Sequence, residues 1–484
     1  MKTPALVVDL DGTLLRSDTL LEQLSWLLAH RPRDLVRVFL DWLRHPSLVA
    51  LKAHLAAATP DLPVERLPVH DQVLARVRLA RASGTRTVLA TASHHSIAAR
   101  IAAHFGAFTD VIATDTHNLK GAAKLHAIRD LLGNEPFTYA GNSAADIPIW
   151  REASEAIIVA SPRTARRLAR RLPQAKVLSP AAPSALTWLR ALRVHQWAKN
   201  LLVLLPVIAA HQWSDREVVI SSLVALVASS LLASSMYLGN DLLDIHADRA
   251  QAGNRRRPIA EGEIPLSAAV GVMLGMLGGA FVLAALAPSG RSTVLLAFMA
   301  GYVGLNAAYT LVLKRTIMLD VLLLSLLYLW RITLGGAVTG IVLSDWLLAF
   351  SVFFFLGLAT AKRCIELGQL ALYEGATDDR DAREVLGRGY RASDLPVMRG
   401  IGLGCGLLSV LVLALYLKDP QTAALYHRPQ ALWAIVLLTL YWVGRLWVLV
   451  ARNEVHADPV QFAVRDRTTY LVAATTVAGF VVAI

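Results

Sequence analysis

Three aspartates, Asp241, Asp244 and Asp248, stand three and four residues apart in Asn240-Asp241-Leu242-Leu243-Asp244-Ile245-His246-Ala247-Asp248-Arg249. They follow directly on a long apolar run over residues 218–239. On a helix this spacing puts the three carboxylates on one face. Ionised carboxylates at a membrane boundary are costly unless positive charge sits among them. Mg²⁺, a hard cation that takes oxygen ligands and often shares substrate phosphates, answers that need. Arg255, Arg256 and Arg257 follow within a few residues and can hold phosphate. The stretch reads as a metal-and-phosphate site, against the plainer reading of a polar helix end.

A second group lies near the N-terminus. The apolar run at residues 5–10 reads as a buried strand. It leads into Asp9-Leu10-Asp11-Gly12-Thr13, two carboxylates beside a tight turn. A run at 87–90 ends in Thr91-Ala92-Ser93, Lys124 follows, and a run at 137–140 ends in Gly141-Asn142-Ser143-Ala144-Ala145-Asp146. Strands alternating with helical stretches predict a parallel α/β sheet. Ligands of such sheets sit at the carboxyl ends of the strands, where these groups fall.

In this order the four motifs resemble the haloacid dehalogenase (HAD) phosphatase superfamily, over roughly residues 1–160. The resemblance implies a Rossmann-like fold with a small helical cap (about 14–85) in a domain spanning 1–178. It implies Asp9 as the nucleophile and Asp11 as the general acid/base, with Thr91 and Lys124 holding the phosphoryl oxygens. Asp9 and Asp146 would hold one Mg²⁺, with Asp11 and Asn142 at the same metal site. A carboxylate suits the nucleophilic role because its acyl phosphate is open to attack by water. A regulatory or scaffolding HAD module is the alternative. Arg31, Arg33, Arg37 and Arg44 in the cap read either as headgroup contacts or as a solvated face.

The chain has 484 residues, is 55% hydrophobic and 17% charged, and carries a net charge of +12. That is too apolar for one soluble protein and too charged to be all membrane. The positive balance suits anionic lipid or phosphorylated substrates, and no nucleic-acid recognition motif is present. The two cysteines, Cys364 and Cys405, match no metal spacing. No signal peptide is expected at the N-terminus. After a linker at 179–188, apolar segments of spanning length recur over 189–484 and predict about nine helices. Lys and Arg concentrate in the loops 240–265, 314–316, 362–396 and 452–467. That bias predicts a multi-pass protein of the inner or plasma membrane, with these loops, the HAD domain and both active sites cytoplasmic.

The Asp-rich stretch and the following Arg257-Pro258-Ile259-Ala260-Glu261-Gly262 resemble the UbiA superfamily of intramembrane prenyltransferases. That resemblance implies a nine-helix, all-α bundle using Mg²⁺ on a diphosphate, so one Mg²⁺ is expected in each domain. The second Asp-rich motif common in aromatic-acceptor members is replaced here by Lys362-Arg363-Cys364-Ile365-Glu366. With Arg193 to Asn200, Lys314, Arg315, Asp320, Arg331 and the late Arg465-Asp466-Arg467, the pattern looks like the decaprenyl-phosphate phosphoribosyltransferase branch. The implied reaction moves 5-phosphoribose from phosphoribosyl pyrophosphate (PRPP) to a polyprenyl phosphate, and the HAD domain removes the 5-phosphate. Asp241, Asp244 and Asp248 would be its catalytic, metal-holding aspartates. Gln196, Lys199, Asn240, Arg257, Lys314, Arg315, Arg331, Lys362, Arg363 and Glu366 would bind substrate. The alternative is prenyl transfer from a polyprenyl diphosphate to an aromatic or other acceptor. Homo-oligomerisation is left open.

Overall fold

The computed structural model describes residues 4–179, 181–251, 253–288, 290–311, 313, 316–374, 389–418, 427–456 and 458–483. The chain divides into two compact units, Met1–Arg193 with Tyr237–Gly275, and Val194–Met236 with Met276–Ile484. The Asp-rich segment thus belongs to the unit that holds the N-terminal sheet.

That sheet has six parallel strands: β1 (Ala5–Val8), β2 (Thr87–His94), β3 (Asp110–Thr114), β4 (Phe137–Gly141), β5 (Glu155–Val159) and β6 (Lys176–Leu178), in the order β3-β2-β1-β4-β5-β6. Every residue of β1 is buried, as a central strand covered on both faces requires. Helices α1 (Thr19–His30), α2 (Pro32–Arg44), α3 (Leu48–Ala58) and α4 (Asp71–Ala82) occupy the interval between β1 and β2. Trp26 and Leu27 of α1 and Leu55 of α3 join the core formed with Val8 and Leu89 of the sheet. The remaining crossovers run through α5 (His95–Phe105), α6 (Ala122–Leu132), α7 (Ile147–Glu152) and α8 (Pro162–Ala169). A separate apolar cluster gathers Ala191 of α9 (Ala185–Ala191), Ile245 of α12 (Ile245–Ala250), Ile259, Ile264 and Leu266, with Leu21 of α1 packed against it. This cluster seats the Asp-rich segment on the helical insert.

The second unit is helical. Its elements are a 3₁₀ stretch at Val194–Leu204, α10 (Leu205–Ala209), α14 (Ser292–Leu311), α15 (Leu319–Thr339), α16 (Asp345–Glu374), α17 (Leu395–Tyr416), α18 (Trp433–Ala451), α19 (Pro459–Arg465) and α20 (Arg467–Ala483). Helices α11 (Arg216–Leu243) and α13 (Leu266–Ala285) each contribute residues to both units. Among the described residues seven helices are long and apolar enough to cross a membrane. About nine were expected; Val194–Ala209 and Arg467–Ala483, at the first and last expected spans, are shorter apolar helices. One boundary is corrected. Lys362, Arg363 and Glu366 were assigned to a loop, but α16 continues through them to Glu374. Arg363, fully buried, pairs with Asp320 of α15 and with Glu366, so its charge does not force the helix to end.

Candidate functional site

The strand ends of the sheet gather the first cluster. Lys124 of α6 donates from Nζ to Asp9 Oδ1 at 2.7 Å and lies 3.8 Å from Asp146 Oδ1. All three side chains are buried. Burial pushes the Asp9 carboxyl above its ordinary range, partly offset by Lys124. For Lys124, burial works against the charge, but Asp9 and Asp146 hold its pKa up. Asp11 accepts from the Thr19 backbone N–H at 2.7 Å and from the Ser93 hydroxyl. Burial, reinforced by Asp18, raises its pKa to about 7. A carboxyl titrating there can give a proton to a leaving group and take one back from water near neutral pH. Thr91 is buried in β2, its Oγ1 accepting from Ser93 N–H at 3.0 Å. Asn142 Nδ2 donates to the Asp11 carbonyl at 3.0 Å. Gly12 permits that approach: it has φ +69°, and a Cβ there would lie 2.1 Å from Asn142 Nδ2.

Several members of this cluster carried no motif. The Tyr139 hydroxyl donates to Asp146 Oδ1 at 3.0 Å and accepts from Lys124 at 3.2 Å. Lys52 of α3 reaches in to donate to the Ala92 carbonyl at 2.6 Å and to Asn118 Oδ1 at 2.8 Å. The cap arginines read as candidate headgroup contacts lie outward: Arg31, Arg37 and Arg44 pair with Asp61, Asp34 and Asp41 at exposed positions. Beside Asp11 opens a cleft of about 990 Å³. Arg16, Ser17, His70, Asn142 and, from beyond the Asp-rich segment, Glu263 and Leu266 line it.

The Asp-rich segment does not continue as one helix. α11 ends at Leu243, Asp244 sits at the break with φ −89° and ψ 7°, and α12 carries Asp248. Asp241 and Asp248 nonetheless meet on one cation: Arg257 Nη1 is 3.3 Å from Asp241 Oδ1 and 2.7 Å from Asp248 Oδ2. Arg193, not singled out as a ligand, also donates to Asp241. Burial raises the Asp248 pKa to about 6 against the pull of Arg257. Arg249 of α12 is turned the other way. It makes two hydrogen bonds to Glu22 of α1, at 2.8 and 2.9 Å, with both side chains buried.

In the helical unit, Lys199 lies 3.1 Å and Lys362 3.7 Å from Asp458 Oδ2. Burial works against the Asp458 charge, but the two lysines hold its pKa low. Arg331 donates to Asn200 Oδ1 at 2.7 Å and to the Tyr302 hydroxyl at 3.2 Å. Asp320 is buried between Arg363 and the Tyr390 hydroxyl, which donates to it at 2.6 Å. Gln196 lies half-buried in the 3₁₀ stretch and Asn240 half-buried on α11. Lys314 and Arg315 lie outside the described residues.

The profile of the UbiA prenyltransferase family matches residues 201–466. The chain belongs to this family. A haloacid dehalogenase-like hydrolase profile matches residues 6–151, so this UbiA chain carries a HAD domain ahead of its membrane helices. Uncharacterized protein y4nM of Sinorhizobium fredii is 36% identical over 99% of this chain and 90% of its own length. Nodulation protein NoeC of Azorhizobium caulinodans is 30% identical over 58% of this chain and 88% of its own. Decaprenyl-phosphate phosphoribosyltransferase of Mycobacterium tuberculosis is 37% identical over 40% of this chain; that match spans 63% of the mycobacterial protein. A solved UbiA homolog from Archaeoglobus fulgidus, bound to DMAPP and Mg²⁺, is 15% identical over 61% of this chain and 98% of its own, with a TM-score of 0.44. The protein is a multi-pass membrane protein of a transferase family with a hydrolase-family domain.

Both families are generally Mg²⁺-dependent. Among the described residues no group of three or more His, Cys, Asp or Glu side chains is close enough to enclose an ion. Each cluster nevertheless has the donor chemistry for a hard cation. Asp9 and Asp146 set two buried carboxylates against the single ammonium of Lys124, a deficit that a divalent ion relieves. Asp241 and Asp248 already share one cation, the Arg257 guanidinium.

Proposed function

We propose that this UbiA-family chain transfers 5-phosphoribose from PRPP to a polyprenyl phosphate, and that its HAD domain then removes the 5-phosphate to give polyprenyl-phosphoryl ribose. The observation that carries this reading is the shared unit. The Asp9–Lys124–Asp11 cluster and the Asp241–Arg257–Asp248 cluster belong to one compact body, joined through the buried Glu22–Arg249 pair. The name of the mycobacterial relative, decaprenyl-phosphate phosphoribosyltransferase, supports the transferred phosphoribosyl group and the prenyl-phosphate acceptor.

In the first step a phosphate oxygen of the lipid bonds to C1 of the ribose as the C1–O bond to pyrophosphate breaks. Arg193 and Arg257 offer cations to the anionic groups beside the Asp-rich segment. Asp241, Asp244 and Asp248 would hold Mg²⁺, which neutralises charge developing on the pyrophosphate. In the second step an Asp9 oxygen attacks the 5-phosphate, Asp11 protonates the departing O5, and Lys124 steadies the phosphoryl oxygens. Water then attacks the acyl phosphate, Asp11 accepts its proton, and orthophosphate leaves. Mg²⁺ in this domain would rest on Asp9 and Asp146, with Asp11 and Asn142 beside it. Both sites lie on the cytoplasmic side, where soluble PRPP is available.

Mass spectrometry of the lipid formed from PRPP and polyprenyl phosphate by the purified full chain tests both steps. Wild type should yield lipid-linked ribose, and Asp9→Asn should yield the species heavier by one phosphate. Turnover of a polyprenyl diphosphate with an aromatic acceptor, and none of PRPP, would replace this reading with prenyl transfer.

A further inference from the structure

Buried polar atoms are rarely left without a partner, so a cluster of them along one cavity asks for a ligand. Three such atoms line the cleft beside Asp11: Arg16 Nε, Ser17 Oγ and Glu263 Oε2. Ser17 is only 5% exposed. Arg16 and Ser17 follow the catalytic turn, whereas Glu263 lies more than two hundred residues later, just after the Arg257–Gly262 motif. Gly262 brings the two segments together. It has φ +74°, and a Cβ there would lie 2.9 Å from Pro68 and 3.1 Å from the Arg16 Cβ. Any side chain there would force Pro68 or Arg16 to shift.

A guanidinium N–H, a hydroxyl and a carboxylate complement a polyol that also carries an anionic group. The volume, about 990 Å³, is that of a site for a sizeable ligand. The cleft is lined both by Asp11 and Asn142 and by Pro265, Leu266 and Ser267, where α13, a candidate membrane span, begins. The first turn of a membrane span lies at headgroup level. A lipid-anchored molecule can therefore extend its headgroup into the cleft towards Asp11.

We infer that the cleft binds a membrane-anchored sugar phosphomonoester, and that Arg16, Ser17 and Glu263 read its sugar. This rests on the phosphatase reading above and adds which residues, from both ends of the sequence, hold the sugar of its lipid-linked substrate.

The test uses the full chain in nanodiscs, carrying Asp9→Asn to prevent turnover. Its ligands are a short-chain polyprenyl-phosphoryl ribose 5-phosphate and free ribose 5-phosphate. The anchored compound should bind at least about tenfold tighter, because its anchor holds the headgroup beside the start of α13 at a high effective concentration. Ser17→Ala, which removes an unpartnered hydroxyl, and the isosteric Glu263→Gln should each weaken binding of the anchored compound about threefold or more. Equal affinity for the two ligands, or an affinity for the anchored compound untouched by both substitutions, overturns the assignment. Orthophosphate release by wild type is scored separately. Its absence, with the binding preference intact, refutes the phosphatase reading and leaves the cleft assignment standing.

Discussion

Glu22 and Arg249, 227 residues apart in sequence, form a two-pronged ion pair with both side chains almost wholly out of solvent. Arg249 Nε also donates to the Ala260 carbonyl at 2.9 Å, and His246 Nε2 lies 3.4 Å from the Glu22 carboxylate. Glu22 sits one turn along α1 from Thr19, whose backbone N–H holds Asp11. Arg249 is next to Asp248, which shares Arg257 with Asp241. The two candidate catalytic clusters are thus anchored at either side of one buried pair.

Removing one partner of a buried pair leaves an uncompensated charge. Glu22→Ala should therefore cost about 3–5 kcal/mol, whereas replacing both partners with apolar residues of similar volume costs far less. A double cycle of Glu22→Met and Arg249→Met, read by the unfolding midpoint of the full chain in detergent, should show strong non-additivity. Glu22→Ala should also lower both lipid glycosylation and orthophosphate release. Loss of one activity with the other at its wild-type rate would show that the pair does not position both clusters.

Lys124→Met removes the only cation between Asp9 and Asp146 among the described residues. Orthophosphate release should fall by about a thousandfold, the scale of losing a preorganised charge at a transferred group. Glycolipid should still form and should retain its 5-phosphate, visible by mass. If Lys124→Met also stops transfer from PRPP, the two chemistries are not separable as proposed.

What the sequence made legible is what is local. Asp9, Asp11, Thr91, Lys124 and Asp146 could be read because the motifs fall at strand ends, where the backbone alone carries them to one edge of the sheet. Strands β3, β5 and β6 were missed: β3 is an edge strand, only partly buried, β5 opens on half-buried Glu155 and Ala156 and carries no motif, and β6 has three residues. Lys52 and Asp458 act through tertiary neighbours and have no neighbouring motif to mark them, and Tyr139, beside the Gly141–Asp146 motif, reads as an ordinary apolar strand residue until its hydroxyl is seen between Lys124 and Asp146. Glu22 and Arg249 each look like solvated helix residues until the fold joins them. The end of α16 was misplaced for a related reason: Lys362 and Arg363 signal a loop unless Asp320 is known to lie opposite.

His70 lines the cleft, and its pKa is lowered to about 4 from an ordinary 6.5 by burial, helped by nearby Arg16 and opposed by Asp71. The folded chain therefore prefers the neutral imidazole, and the unfolded chain takes up the proton first. Stability from this group is intact above pH 6.5 and is lost as pH falls towards 4. His246, also held below its ordinary value by burial, acts in the same direction. The unfolding midpoint of the full chain should drop over this window, and His70→Gln should make the drop shallower. An identical pH profile in the variant would exclude His70 as a contributor.

Arg363 and Asp320 set a different test, because both are completely buried in the helical unit. Arg363 was read from sequence as a phosphate ligand, yet it is engaged by Asp320 and Glu366. A charge left alone at membrane depth costs several kcal/mol. Arg363→Met should therefore yield little monodisperse protein, since among the described residues Asp320 keeps only the Tyr390 hydroxyl as a side-chain partner. The double variant Arg363→Met with Asp320→Asn removes both charges and should recover folding, judged by size-exclusion profile and unfolding midpoint. Its transfer kinetics then separate the two roles. A structural pair predicts a KM for PRPP within about twofold of wild type once folding is restored, whereas a guanidinium that binds phosphate predicts a rise of about tenfold or more.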